Sequence, residues 1–97
     1  MILQFLLTFY CACLLCTGKD PGHPLSGVTA AGTRVKRGTI ACPPPMPMGQ
    51  LVIIDGSWYT CLDRGGAIKG NKIDVFVPSH AEALRRGVRH AWVEIVR

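Results

Sequence analysis

Two carboxylates, Asp63 and Asp74, flank a glycine-rich turn carrying Lys69 and Lys72 in the stretch Cys61 to Val77, CLDRGGAIKGNKIDVFV. Two carboxyl groups in different surroundings can divide the work of acid and base between them. The chain around them is suited to holding them. Trp58-Tyr59-Thr60-Cys61-Leu62 is β-prone, and Ile73 to Val77 alternates apolar and polar. Gly65, Gly66 and Gly70 give the connection the backbone freedom of a tight loop. The stretch predicts strand, glycine loop, strand, with a carboxylate at each junction, and such loops are where chemistry tends to sit. The plain alternative is a hairpin whose aspartates are solvated turn residues, and composition leaves both open.

Cysteines are the second chemical resource. Cys11, Cys13 and Cys16 cluster, while Cys42 and Cys61 stand alone. Reduced buried thiols are the first expectation. A Cys42–Cys61 disulfide comes second, because in an oxidising setting it would pin the loop that carries Asp63. A structural zinc built on Cys13-x-x-Cys16 and two distant thiolates comes third, since the paired Cys-x-x-Cys knuckles of such sites are missing.

A chain of 97 residues supports one domain, residues 1–97. The hydrophobic share, 48%, excludes general disorder, and 11 Gly with 7 Pro suit many short strands and turns. Eleven basic against six acidic residues leave a net charge of +5, which favours polyanions. No nucleic-acid motif accompanies that charge, so nucleic acid is not expected as a partner. The apolar opening lacks a preceding Lys or Arg and a small-x-small cleavage site, and is short for a membrane span of about 20 residues. It reads as a strand, residues 1–11, rather than a signal segment.

In chain order, Leu3 to Cys11 predicts the first strand, followed by a long loop and a brief extended piece at Val28 to Ala31. Thr39 to Ala41 is the next strand, and Pro43 to Pro47 must then run along an edge or as a loop. Leu51 to Ile54 precedes the hairpin turn Asp55-Gly56 and the strand through Trp58 to Leu62. Ser79 is placed to cap a helix ending at Gly87, with Glu82 at the capping-box position. His90 to Val96 is the last strand. This pattern predicts an all-β fold: a small closed barrel with one short helix.

Asp63-x-Gly65-Gly66-Ala67-Ile68-x-Gly70-x-x-x-Asp74 resembles the signature of the three-aspartate (3D) domain, which also forms the catalytic barrel of one class of membrane-bound lytic transglycosylases. Thr17-Gly18-Lys19, Pro21-Gly22-His23-Pro24, Gly27 to Thr33, Gly38 to Ala41, Pro47-Met48-Gly49 and Glu82-Ala83-Leu84 are similar to the family's other words, in the same order. The resemblance implies a six-stranded double-psi β-barrel acting on peptidoglycan glycan strands at the cell wall or outside the cell. It implies no cofactor and no metal.

The resemblance also implies roles. A lytic transglycosylase uses the sugar's own 6-hydroxyl as nucleophile, so one carboxyl serves as acid and then as base. Asp74 matches that residue, and its apolar neighbours would raise its pKa. Asp63 would support it, while Arg64 and Lys69 compete as cations that lower carboxylate pKa values. Gly65 and Gly66 would let backbone amides approach the sugar, and Thr29, Thr33 and Lys69 would hydrogen-bond it. The first of the family's three aspartates is missing: Cys42 stands there counted from Pro47-Met48-Gly49, Pro43 counted from Gly38-Thr39. The alternative is therefore a non-catalytic wall- or glycan-binding barrel. A thiol-rich metal or redox module rests on cysteine count alone.

Overall fold

The computed structural model describes residues 1–12 and 27–96. Its strands are β1 (Ile2–Tyr10), β2 (Thr39–Ala41), β3 (Leu51–Ile54), β4 (Ser57–Asp63), β5 (Lys72–Phe76) and β6 (Arg89–Ile95), with helix α1 (His80–Arg86) between the last two. They close a barrel in the order β1-β5-β2-β4-β3-β6. Closure removes the exposed edges of an open sheet. Two pairs run parallel, β1 with β5 and β2 with β4; the rest are antiparallel.

Local chemistry accounts for the junctions. Asp55 and Gly56 have φ of 52° and 80°, the double left-handed step of a two-residue hairpin turn between β3 and β4. Ser79 caps α1 by accepting from the Glu82 amide, and Gly87, at φ 64°, ends it by donating to the Ala83 carbonyl. Pro43 to Pro47 form no strand; their loop turns on a hydrogen bond from the Met46 amide to the Pro43 carbonyl. Of the expected extended piece at Val28 to Ala31, Val28 lies in a bridge and Ala30 and Ala31 form a turn. A single bridge joins Val28 to Arg34, and the Thr29 amide donates to the Thr33 carbonyl. Gly32, at φ 85°, folds the segment back, and its backbone bond to β4 runs from the Ala31 amide to the Leu62 carbonyl at 3.0 Å.

The barrel interior is filled by Phe5, Leu7, Ile40, Val52, Ile54, Ile73, Val75 and Val93, with Cys42 and Cys61 among them. Fully burying side chains of this size stabilises a fold by about 1.5–3 kcal/mol each. Alternation on β6 sends Ala91 and Val93 inward and leaves His90, Trp92 and Glu94 outside. A second cluster of Tyr10, Ala41, Ile68 and Phe76 packs beside the Asp63 end of β4. It seats the glycine loop through Ile68.

Candidate functional site

Ala41 on β2 is the register partner of both Asp63 on β4 and Asp74 on β5. The two carboxylates therefore stand on strands either side of one small residue. From β1, the Thr8 hydroxyl donates to Asp74 Oδ1 at 2.9 Å and the Tyr10 hydroxyl donates to Asp63 Oδ2 at 3.1 Å. Thr8 and Tyr10 are two apart on a strand and so share a face, which puts both carboxyl groups toward the same side. Asp63 also accepts from the Ala30 and Arg64 amides, each at 2.9 Å to Oδ1.

The two groups differ in environment. Burial pushes the Asp74 carboxyl above the usual carboxylate range; the Thr8 hydrogen bond and Lys72 pull it down, and Asp63 adds a small push upward. Burial, and then the negative charge of Asp63, drive the Tyr10 phenol far above its ordinary value, so it stays a donor. One carboxyl is thus disposed to hold a proton beside another carboxyl supplied with three donors.

The glycine loop closes on a hydrogen bond from the Ile68 amide to the Gly65 carbonyl. A Cβ on Gly65 would meet Ile68 Cγ1 at 3.1 Å, whereas one on Gly66 would meet nothing. A side chain at Gly65 would press on Ile68, whereas Gly66 is exposed. Lys69 is exposed. The Thr29 and Thr33 hydroxyls lie 2.8 Å apart and hydrogen-bond each other, bracing the turn that presents the Ala30 amide to Asp63.

Arg64 does not compete for the carboxylates through its side chain. Its guanidinium turns away to donate to the carbonyls of Cys42 at 3.0 Å, Pro43 at 2.9 Å and Met46. Lys72 is the cation that Asp74 feels, although Lys69 and Arg64 were the expected ones. The reason is register: Lys72 begins the strand that carries Asp74.

Cys42 and Cys61 are joined by a disulfide, with Cα atoms 5.7 Å apart. This departs from the first expectation of reduced thiols, because the parallel pairing of β2 with β4 sets Ile40 beside Cys61 and brings Cys42 over it. Arg64 lies against the bridge, 2.7 Å from Cys42 Sγ. The Cys42 amide donates to the Asp63 carbonyl at 3.2 Å, so the bridge and Asp63 share one piece of backbone. Cys11 Sγ approaches His80 Nδ1 at 3.9 Å. Cys13 and Cys16, the core of the zinc expectation, fall outside the described residues, as do Thr17-Gly18-Lys19 and Pro21 to Pro24. Among the described residues, no three His, Cys, Asp or Glu side chains gather as a metal-ligand set.

Thr8, Tyr10 and Ala30 were missed by sequence reasoning, and Lys72 was named without its effect on Asp74. Thr8 and Tyr10 left a usable signal: two hydroxyls at alternate positions near the end of a mostly apolar strand. Ala30 acts through its backbone and left none.

A family model described as the 3D domain matches residues 38–97. The chain belongs to the 3D domain family. It is similar to the cell wall-binding protein YocH of Bacillus subtilis (strain 168), 43% identical over 86 residues, which cover 82% of this chain and 29% of that protein. It is also similar to YabE of the same organism, named for cell wall shaping: 35% identical over 82 residues, covering 84% of this chain and 20% of the other. The chain spans less than a third of the length of these curated relatives. No helix among the described residues is long and apolar enough to cross a membrane.

Proposed function

We propose that this barrel acts at the bacterial cell wall and cleaves the glycosidic bonds of peptidoglycan as a lytic transglycosylase, with Asp74 as acid and then base. The observation that carries the reading is the environment of Asp74: a carboxyl raised by burial, held at one oxygen by Thr8, with Asp63 nearby. The proton on Asp74 passes to the leaving glycosidic oxygen as the bond to C1 breaks. The carboxylate so formed then takes the proton of the sugar's 6-hydroxyl, whose oxygen closes on C1 to give a 1,6-anhydro product. Asp63, fixed by Tyr10, Ala30 and Arg64, supplies the negative charge that favours a protonated Asp74 and a developing positive charge at C1. The amide of Gly66, open to solvent, and the exposed Lys69 are available to the glycan; Gly65, Thr29 and Thr33 shape the loops around it. The names of YocH and YabE support a wall partner.

One observation favours a second reading, a barrel that binds the wall without cutting it. The place of the family's first aspartate, Cys42 or Pro43 by the two counts, holds no carboxyl group, and Cys42 is locked in a bridge. Purified sacculi decide between the two. Incubation followed by mass analysis should release anhydro-muropeptides; co-sedimentation with sacculi and no anhydro product would leave only binding.

A further inference from the structure

A second feature lies at the opposite end of β4 from Asp63. Arg37, Trp58, Tyr59, Val75, Phe76 and Arg86 are among the residues that line a half-open hollow of about 290 Å³. Its polar edge is organised from α1. Glu82 receives both arms of the Arg37 guanidinium, at 3.1 and 2.8 Å, and one arm of Arg86 at 3.5 Å. Arg86 also lies over the Phe9 ring, its Cζ 4.5 Å from the ring centre. Two guanidiniums share one carboxylate, so a positive charge is left over, and no acidic side chain lines the hollow. The apolar side is Trp58, 57% exposed although it is one of the largest apolar groups in the chain.

An exposed indole beside fixed guanidiniums has two complementary demands: a flat apolar face and an anion. We propose that this hollow binds an acidic sugar, its pyranose C–H face lying on Trp58 and its carboxylate meeting Arg86 and Arg37. The volume sits at the lower limit of ligand pockets, about 300 Å³, which suits one ring with its acid group. A linear polyol phosphate would satisfy the guanidiniums but offers no flat face to Trp58. The proposal rests on the wall-glycan reading and gives it a recognition site separate from the aspartates.

The test uses the full chain with Trp92→Phe, which makes Trp58 the sole indole, since the sequence has two. Its fluorescence is titrated with N-acetylmuramic acid and with N-acetylglucosamine, which differ by the lactyl carboxylate. The acidic sugar should give a saturable change and bind roughly tenfold more tightly than the neutral one. Added Arg86→Gln should erase that difference; where it fails to fold, by circular dichroism, the more exposed Arg37→Gln gives the same comparison. Equal affinities, a silent Trp58, or displacement of the sugar by poly(glycerol phosphate) at lower concentration would overturn the proposal. Cleavage of sacculi is scored separately. Cleavage with a silent Trp58 removes this site alone, whereas a Trp58 response without cleavage keeps the site and removes the catalytic reading.

Discussion

Thr8 and Asp74 are register partners on the parallel pair β1 and β5, and the Thr8 hydroxyl donates to the Asp74 carboxyl at 2.9 Å. That bond stabilises the ionised form and opposes the burial that raises the pKa. Thr8→Val keeps the shape and removes the donor. The alkaline limb of the pH–activity profile, where a protonated Asp74 is lost, should therefore move to higher pH. A limb that stays in place would separate Asp74 from the acid step.

Asp74→Asn should abolish anhydro-product formation by at least about 10²-fold while leaving binding to sacculi intact, because Asn can accept from Thr8 but carries no transferable proton. Unreduced cleavage would refute the assignment.

The same variant tests burial. The folded chain holds the Asp74 proton more tightly than the unfolded chain does. The stability linked to that proton is full below the ordinary carboxylate value of about 3.9 and is lost as pH rises through the higher folded value. Asp74→Asn has no such loss, so its melting temperature should gain on the parent's as pH rises across that interval. A difference independent of pH would count against a raised Asp74.

Much of the fold was legible because its signals are local. Asp55-Gly56, Ser79 with Glu82, and Gly87 each specify a turn or a cap within a few residues. The candidate site was legible as a pair of neighbouring carboxylates and not in what surrounds them. Tyr10 reaches Asp63 across the barrel, and nothing local announces which apolar strand will lie parallel to β5. The direction of Arg64 was equally hidden. A cation beside an aspartate suggests an ion pair, but three loop carbonyls on the other side claim its donors.

Tyr10→Phe should free Asp63 Oδ2 of its phenolic partner. A hydrogen bond to a charged group contributes about 1.5–3 kcal/mol, so a loss of stability of that order is expected in urea denaturation. Loss under about 0.5 kcal/mol, the scale of a neutral surface change, would mean that water replaces the phenol.

The Cys42–Cys61 bridge closes a sequence separation of 19. A loop of this length is worth about 3 kcal/mol by restricting the unfolded chain. Cys42→Ala with Cys61→Ala should lower the denaturation midpoint accordingly, and reductant should lower the parent's but not the variant's. A midpoint indifferent to reductant in the parent would mean that the thiols are not joined in solution.

β1 is bonded on one side to β5 and on the other to β6, and the Ile95 amide donates to the Met1 carbonyl at 2.8 Å. β1 leads the barrel in sequence, yet both of its partners come after β2, β3 and β4. Its pairings are long-range, of the kind that make folding slow. Thr8 and Tyr10 travel on that strand, so Asp74 and Asp63 have their hydroxyl partners only when β1 is docked on β5. A barrel without a docked β1 therefore has Asp74 and Asp63 but neither of the hydroxyls that hold them.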